Sequence, residues 1–229
     1  MSNFCKFTSL GAGLAMAAAF LLAAGCGSGG SNTKIRVMNA APGEASLEVL
    51  LSSASISSGI TYGTASGYVS EAAGSPTLVI EPTGSTTALI NESITITSGT
   101  QYTIVATGYP PNLNLVQFTD NNAAPPSGDV NLRLINSSPS LGTADVYVVA
   151  PGTDLGSVSP TVTGLSFVSA SNYVSMTAGS YEIFFTPTGQ KSGGSDSGSL
   201  TFSAGQVRTV VGLNGTTTGY TTAVLSDVN

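Results

Sequence analysis

The sequence contains no histidine and no tryptophan among its 229 residues, and only 8% of its residues are charged. Histidine is the commonest general base and metal ligand, so its absence excludes a Ser-His-Asp triad and any histidine-based metal site. The formal net charge of −6 repels phosphate backbones, which excludes nucleic acid as a partner. We therefore expect no catalytic residues, no metal, no cofactor and no enzymatic activity.

The two cysteines lie close to the start of the chain, so the sequence offers no disulfide framework for a later domain. Lys6 is followed by an uncharged, alanine-rich run over residues 8–25, which is typical of a signal peptide and too short and glycine-interrupted for a transmembrane helix. The run ends in Leu22-Ala-Ala-Gly-Cys26, which resembles a bacterial lipobox.

The resemblance to a lipobox implies cleavage between Gly25 and Cys26 and acylation of Cys26 by chains such as palmitate. Two or more acyl chains are needed for stable anchoring, since a single chain gives only reversible membrane binding. Gly27 stands where an aspartate would retain a lipoprotein at the inner membrane. We therefore expect a lipid-anchored protein of the cell envelope, at the outer membrane and facing the periplasm or the exterior if the host is diderm.

An internal repeat fills the remainder of the chain. Ile35-Arg-Val-Met-Asn-Ala-Ala-Pro42 recurs as Leu132-Arg-Leu-Ile-Asn-Ser-Ser-Pro139, Ala65-Ser-Gly-Tyr-Val-Ser70 as Ala170-Ser-Asn-Tyr-Val-Ser175, and Pro82-Thr-Gly84 as Pro187-Thr-Gly189. The repeat predicts a signal peptide at 1–25, a lipidated cysteine and tether at 26–33, and two similar domains at 34–118 and 130–229. The polar, proline-containing residues 119–129 are the predicted linker.

Apolar residues alternate with polar or small ones in both copies, as in Ile35/Val37, Leu47/Val49/Leu51, Ile94/Ile96 and Tyr102/Ile104/Ala106. Turn signals separate these segments every 10 to 15 residues or so. The pattern predicts an all-β chain of two tandem antiparallel β-sandwich domains, immunoglobulin-like or transthyretin-like, with about seven strands each.

The repeated opening, apolar-Arg-apolar-apolar-Asn-x-x-Pro followed by Ala144-Asp-Val-Tyr-Val148, resembles the bacterial domain-of-unknown-function family 4397. The resemblance implies two tandem copies of that domain in an exported lipoprotein. The family has no established activity, so it supplies no catalytic residues. Our alignment places Ser46 of the first copy opposite Asp145 of the second, which singles out Asp145 as a candidate ligand-binding residue.

Repeated polar residues are further candidates. Tyr68 and Tyr173 occupy equivalent positions and are either packed aromatics or sugar-stacking groups. Arg36 and Arg133 are expected to be structural residues that either pair with a carboxylate or cover a sheet edge. The asparagines of the repeated opening, at positions 39 and 136, are expected to set the turn after the first strand.

Two weaker chemical hypotheses concern the acidic residues. No spacing singles out a carboxylate pair for a glycosidase. Asp120, Asn121, Asn122 and Asp129 crowd the predicted linker and would be the ligands of a hard cation, although the chain has no Asp-x-Asp loop. A loop around Lys191 is longer in the second copy and is a place where binding specificity could arise.

The sequence thus favours a membrane-anchored, non-enzymatic structural or interaction module that contacts membrane lipid through Cys26 and an envelope protein or polysaccharide through its domains. The alternative is a surface adhesin or glycan-binding protein that uses Tyr68, Tyr173 or Asp145. A carboxylate-dependent glycosidase ranks last.

Overall fold

A computed structural model describes residues 33–227. The predicted signal peptide, the Gly25/Cys26 cleavage site and the lipidated Cys26 lie outside the described residues. The described residues belong to one compact unit. Within residues 33–227, no helix is long and apolar enough to cross a membrane.

The fold is built from strands, which confirms the all-β sandwich prediction. Half one, residues 33–120, comprises β1 (Lys34–Ala40), β2 (Ser46–Leu51), β3 (Ala54–Thr61), β4 (Val69–Ser70), β5 (Thr77–Pro82), β6 (Ile90–Ser93), β7 (Gln101–Tyr109) and β8 (Asn112–Asp120). Half two, residues 129–227, comprises β9 (Asp129–Asn136), β10 (Ala144–Val149), β11 (Val162–Leu165), β12 (Ser169–Ala170), β13 (Val174–Thr177), β14 (Gly179–Pro187), β15 (Ser195–Phe202), β16 (Val207–Asn214) and β17 (Tyr220–Ser226). A 3₁₀ turn at Leu155–Ser157 interrupts half two.

Each half contains two sheets with the same strand order. The inner sheets are β4-β1-β7-β8 in half one and β12-β9-β16-β17 in half two, where β13 also pairs with β9. The outer sheets are β3-β2-β5-β6 and β11-β10-β14-β15. The strand order therefore repeats the duplication seen in the sequence.

The central strands of the inner sheets pair in parallel, unlike the antiparallel pairing we expected throughout. β1 lies parallel to β7, and β9 lies parallel to β16. A parallel pair needs a long crossover, and the whole outer sheet of each half supplies it. These four strands are buried on both faces, as their nearly continuous burial shows.

The two faces of β1 belong to different cores. Ile35 and Val37 point into the core between the two sheets of half one. Met38 and Ala40 point the other way, into a third core. That core lies between the inner sheets of the two halves and consists of Met38, Ala40, Val105, Ile135, Val211, Leu213 and Leu225. We call this layer the seam.

The connection between the halves is shorter than the predicted linker. β8 extends through Asp120, and β9 begins at Asp129, so only residues 121–128 lie between strands. The ends of the predicted 119–129 segment belong to the inner sheets. The division of the unit into two domains stays a prediction.

Candidate functional site

Eight buried or half-buried polar side chains lie at the seam in two equivalent sets. The set from half one is Arg36, Tyr68, Thr103 and Asp120, and the set from half two is Arg133, Tyr173, Thr209 and Asp227. We call these residues the seam cluster. Alternation along β1 and β9 places both arginines on the seam face of their strands, next to the third core.

The guanidinium of Arg36 joins the two halves. Its Nε donates to Thr103 Oγ1 at 2.9 Å within half one, and its Nη1 donates to the carbonyl oxygen of Ser226 at 2.8 Å in half two. Its Nη2 forms a salt bridge with Asp227 of half two. Arg36 and Asp227 are almost fully buried, so water does not screen this pair.

Arg133 makes the reciprocal contacts. Its Nε donates to Thr209 Oγ1 at 3.1 Å within half two, and its Nη1 donates to the Thr119 carbonyl oxygen at 3.2 Å in half one. Its Nη2 lies 2.7 Å from Asp120 Oδ1 in a second buried salt bridge. Each half therefore supplies the carboxylate that neutralises the arginine of the other half.

The two tyrosines that the sequence offered as sugar-stacking groups complete the seam cluster. The Tyr68 hydroxyl donates to Asp120 Oδ2 at 2.7 Å, and the Tyr173 hydroxyl donates to Asp227 Oδ2 at 2.8 Å. The Arg36 guanidinium carbon lies 4.6 Å from the centre of the Tyr68 ring, which is cation–π distance. Tyr173 has the same relation to Arg133 at 5.0 Å, so the hydroxyl and one face of each half-buried ring are engaged within the protein.

Burial of these phenols predicts a loss of stability in alkali. Burial, reinforced by the negative charge of Asp120, raises the pKa of Tyr68 above its ordinary value of 10. Burial also raises the pKa of Tyr173, against the opposing effect of Arg133, and it raises the pKa of Tyr62 to about 12. Above pH 10 the unfolded chain loses phenolic protons that the folded chain retains, so deprotonation favours unfolding.

We therefore expect the free energy of unfolding to be fully retained below about pH 10 and to fall as the pH rises toward 12. The variant Tyr62→Phe/Tyr68→Phe/Tyr173→Phe should show a flatter decline over this window. Urea denaturation at several pH values between 8 and 12 measures both slopes. Equal slopes for the variant and the wild type would contradict this assignment.

The repeated asparagines set the turns after β1 and β9, as predicted. Asn39 Oδ1 accepts a hydrogen bond from the backbone N–H of Ala41 at 3.2 Å, and Asn136 Oδ1 accepts the equivalent bond from Ser138 at 3.2 Å. Each side-chain amide also donates to two backbone carbonyl groups of its own half. These contacts fix the backbone at one end of the molecule.

The structure places the candidate Asp145 inside half two. Its Oδ1 accepts from the backbone N–H of Gly164 at 2.9 Å, and its Oδ2 accepts from Gly189 at 2.8 Å. The sheet register, which pairs Leu47 with Pro82 and Ala144 with Pro187, aligns Asp145 with Glu48. Our sequence alignment with Ser46 was therefore two residues out of register, and both copies carry an acidic residue here.

Asp120 and Asp129, the acidic residues of the predicted linker, contact different partners. Asp120 pairs with Arg133, whereas Asp129 accepts a hydrogen bond from Ser175 at 3.0 Å. Among residues 33–227, no group of three or more acidic or cysteine side chains is arranged to hold a metal ion. The Lys191 ammonium of the longer loop lies 4.7 Å from the centre of the Tyr147 ring.

A surface cleft opens at the end of the seam where β1, β7, β9 and β16 finish. Its larger cavity, of about 490 Å³, is lined by Pro42, Gly43, Tyr109, Ser140, Asn214 and residues 215–220. A second cavity of about 250 Å³ shares Pro42, Gly43, Gly215 and Thr216 with the first and adds Glu44, Ala45 and Tyr62. We call the two cavities together the polar cleft.

Asn214 makes hydrogen bonds to several side chains in and around the polar cleft. Its Nδ2 donates to the Tyr109 hydroxyl at 2.6 Å and to Ser140 Oγ at 2.9 Å. Its Oδ1 accepts from Ser138 Oγ at 2.5 Å, and its carbonyl oxygen accepts from the Tyr62 hydroxyl at 2.8 Å. Asn214 thus contacts one tyrosine from each cavity, Tyr109 through its side-chain amide and Tyr62 through its backbone carbonyl.

The repeat could have identified part of these sites. Asp120 and Asp227 recur 107 residues apart, and Thr103 and Thr209 recur 106 residues apart, so both pairs belong to the repeat that identified the arginines. The polar cleft offered no such signal, because Tyr109 and Asn214 have no counterparts of the same type in the other half.

The sequence profile of the family described as "Domain of unknown function (DUF4397)" matches residues 33–147. This match covers half of the sequence, and the chain belongs to that family. A comparison with curated protein sequences found no significant match.

Two solved structures are similar at low identity. One is the crystal structure of CBMbc (family CBM26) from Eubacterium rectale Amy13K in complex with maltoheptaose, at 9% identity over 86% of this chain and 98% of that chain, with a TM-score of 0.27. The other is a leucine-rich repeat protein from Bacteroides thetaiotaomicron, at 14% identity over 77% of this chain and 25% of that chain, with a TM-score of 0.20.

Proposed function

We propose that this chain is a non-enzymatic interaction module that a lipid on Cys26 holds at the cell envelope. The observation that carries the proposal is the position of the polar cleft relative to the start of β1. β1 begins at Lys34, next to the predicted tether, and ends at Ala40, next to the cleft. Seven residues of strand place these ends roughly 20 Å apart.

A tether that joins the domain at Thr33 would hold the cleft at the pole facing away from the lipid surface. Membrane lipid is then the partner of Cys26, and an envelope protein or polysaccharide is the partner of the cleft. Gly27 favours the outer membrane in a diderm host. The buried contacts of the seam support this role, because they hold the cleft residues of the two halves in fixed positions relative to each other.

We further propose that the predicted domain at residues 130–229, which includes nearly all of half two, is a second copy of the family domain. The family profile ends at residue 147, but β9 to β17 repeat the strand order of half one. The repeated arginine, asparagine and aspartate residues make the same contacts in both halves.

Lipid anchoring is tested by the intact mass of the protein extracted from membranes. We expect the mass of residues 26–229 plus a diacylglyceryl group and a third acyl chain. Cys26→Ser should lose this modification and leave the membrane fraction. Cys5→Ser, which alters the other cysteine, should keep both the lipid and the membrane location.

An unmodified mature chain in the membrane extract would contradict anchoring and make the protein a free secreted one. Hydrolytic turnover of polysaccharide substrates by the purified protein would contradict the non-enzymatic part of the proposal. The two results are independent, so each part can fail alone.

A further inference from the structure

We infer that the polar cleft binds a neutral oligosaccharide, an inference that rests on the proposed interaction role and specifies its ligand. Tyr68 and Tyr173 are half-buried and donate their hydroxyl hydrogen bonds within the seam cluster, whereas Tyr109 is 49% exposed at the cleft. Among residues 33–227, the most exposed aromatic side chain therefore lies at the cleft.

The lining of the larger cavity matches the chemistry of a sugar. Its described side chains are hydroxyls, an amide, tyrosine rings and a proline, and none of them is a carboxylate or a basic group. Sugar hydroxyls exchange hydrogen bonds with such neutral donors and acceptors, while the apolar face of a sugar ring packs on an aromatic ring. The lining thus favours a ligand that is polar, uncharged and partly apolar on one face.

The cleft is organised before a ligand arrives. The Tyr109 hydroxyl is held by Asn214 and lies 2.8 Å from Ser140 Oγ, so the orientation of its ring is fixed. The loop after Asn214 is closed by a hydrogen bond from the Gly215 N–H to the Gly219 carbonyl oxygen at 2.8 Å. A site whose side chains are already ordered loses less conformational entropy on binding.

The two halves contribute different residues to the cleft. The register that aligns Thr103 with Thr209 aligns Gly108 with Asn214 and Tyr109 with Gly215. The β7–β8 turn is a short Pro-Pro turn, whereas β16 and β17 are joined by residues 215–219. The seam cluster keeps identical residues in both halves because it holds them together. The cleft combines different residues from each half, as expected of one asymmetric binding site.

The shape and charge of the cleft narrow the ligand class further. The two cavities share four lining residues and are therefore adjacent, which suits a chain of sugars better than a single one. Glu44 lines the smaller cavity and is its one ionisable group besides tyrosine among the described lining residues. Its negative charge disfavours acidic sugars.

Isothermal titration calorimetry with the purified mature chain tests this inference. The probes are neutral hexasaccharides of glucose, mannose and xylose, with an oligogalacturonate of similar length as the anionic comparison. We expect at least one neutral probe to bind and the anionic probe to bind more weakly. Tyr109→Ala should weaken the binding of that neutral probe about tenfold.

A second variant tests the cleft independently, in case Tyr109→Ala does not fold. Thr217 is exposed at the rim of the cleft, so Thr217→Arg should block the groove without disturbing the core. Thr201→Arg is the matched control, because Thr201 is exposed on β15 and the substitution adds the same side chain. We expect Thr217→Arg to lose binding and Thr201→Arg to bind like the wild type.

Binding that is equal in the wild type and in Thr217→Arg would overturn the cleft assignment. A lack of binding to every neutral probe, or stronger binding of the oligogalacturonate, would overturn the ligand class. These results leave the lipid on Cys26 untouched, so the mass measurement separates failure of this inference from failure of the anchored role.

Discussion

Asp120→Ala is expected to lower the free energy of unfolding by about 3–5 kcal/mol, because it leaves a buried charge without its partner. In the variant the Arg133 guanidinium faces no carboxylate, and the hydroxyls of Tyr68 and Thr103 lose their acceptor. Urea denaturation followed by circular dichroism measures the loss. Asp227→Ala should behave similarly, because Asp227 makes the reciprocal contacts with Arg36.

Two further variants separate the buried pair from general effects of removing a carboxylate. Asp196 is exposed on β15 and accepts one local hydrogen bond, so Asp196→Ala should cost about 1 kcal/mol or less. Arg133→Met/Asp120→Leu removes both charges and should recover most of the loss. A cost below about 1 kcal/mol for Asp120→Ala would show that the seam does not depend on this ion pair.

Gly212→Ala is expected to destabilise the protein by about 1–3 kcal/mol through overpacking. A Cβ atom at Gly212 would lie 2.7 Å from the Phe185 ring, which is closer than carbon atoms approach in proteins. At the corresponding positions, half one carries Ala106 and Ile80, both fully buried. Half two therefore combines a large residue with a glycine, whereas half one combines a smaller apolar residue with an alanine at the same two positions.

Because Phe185 lies next to Gly212, a smaller residue at position 185 is expected to restore the stability that Gly212→Ala loses. Phe185→Ile alone should cost about 1–2 kcal/mol through the space it leaves. Gly212→Ala/Phe185→Ile reproduces the residues of half one and should lie within about 1 kcal/mol of the wild type. Gly67→Ala is the control, since a Cβ atom there meets no other group within 4 Å. Additive costs in the double variant would contradict the compensation.

Alternation in the sequence was sufficient to predict the outer strands and their inward faces. Leu47, Val49 and Leu51 all lie in the core of half one, as their period of two indicates. Ile94 and Ile96 are buried as expected, but they lie after β6, and Ile96 makes only an isolated bridge with Gly74. Burial follows the hydrophobic pattern more closely than strand pairing does.

The second buried face of the inner strands was harder to predict. Met38 and Val105 face the seam beside Arg36 and Thr103, and this mixed pattern resembles a solvent-facing surface. The repeat identified the arginines as structural residues. It could not show that each arginine pairs across the seam, because a repeat period is the same whether contacts lie within or between copies.

The polar cleft could not be predicted from the sequence for a different reason. Its residues come from five separate segments around positions 42–45, 62, 109, 138–140 and 214–220. Pro42 and Ser138 belong to the repeated Asn-x-x-Pro opening, but that motif does not indicate a cleft. The proximity of the segments depends on the parallel order of β1 with β7 and of β9 with β16. The sequence offered the repeated Tyr68 and Tyr173 as sugar-stacking groups, whereas our proposal places the sugar at Tyr109, which has no tyrosine counterpart in half two.

The parallel pairing of β1 also determines how the protein responds to force. A pull between Thr33 and a ligand at the opposite pole acts along the axis of β1, and seven residues of that strand pair with β7. The hydrogen bonds of this pair are then strained in shear, all at once, whereas a hairpin pulled from one end separates bond by bond. Arg36 adds a crosslink from the loaded strand to Asp227 in the other half. A pull along this axis would therefore load the β1–β7 hydrogen bonds and the Arg36–Asp227 salt bridge together.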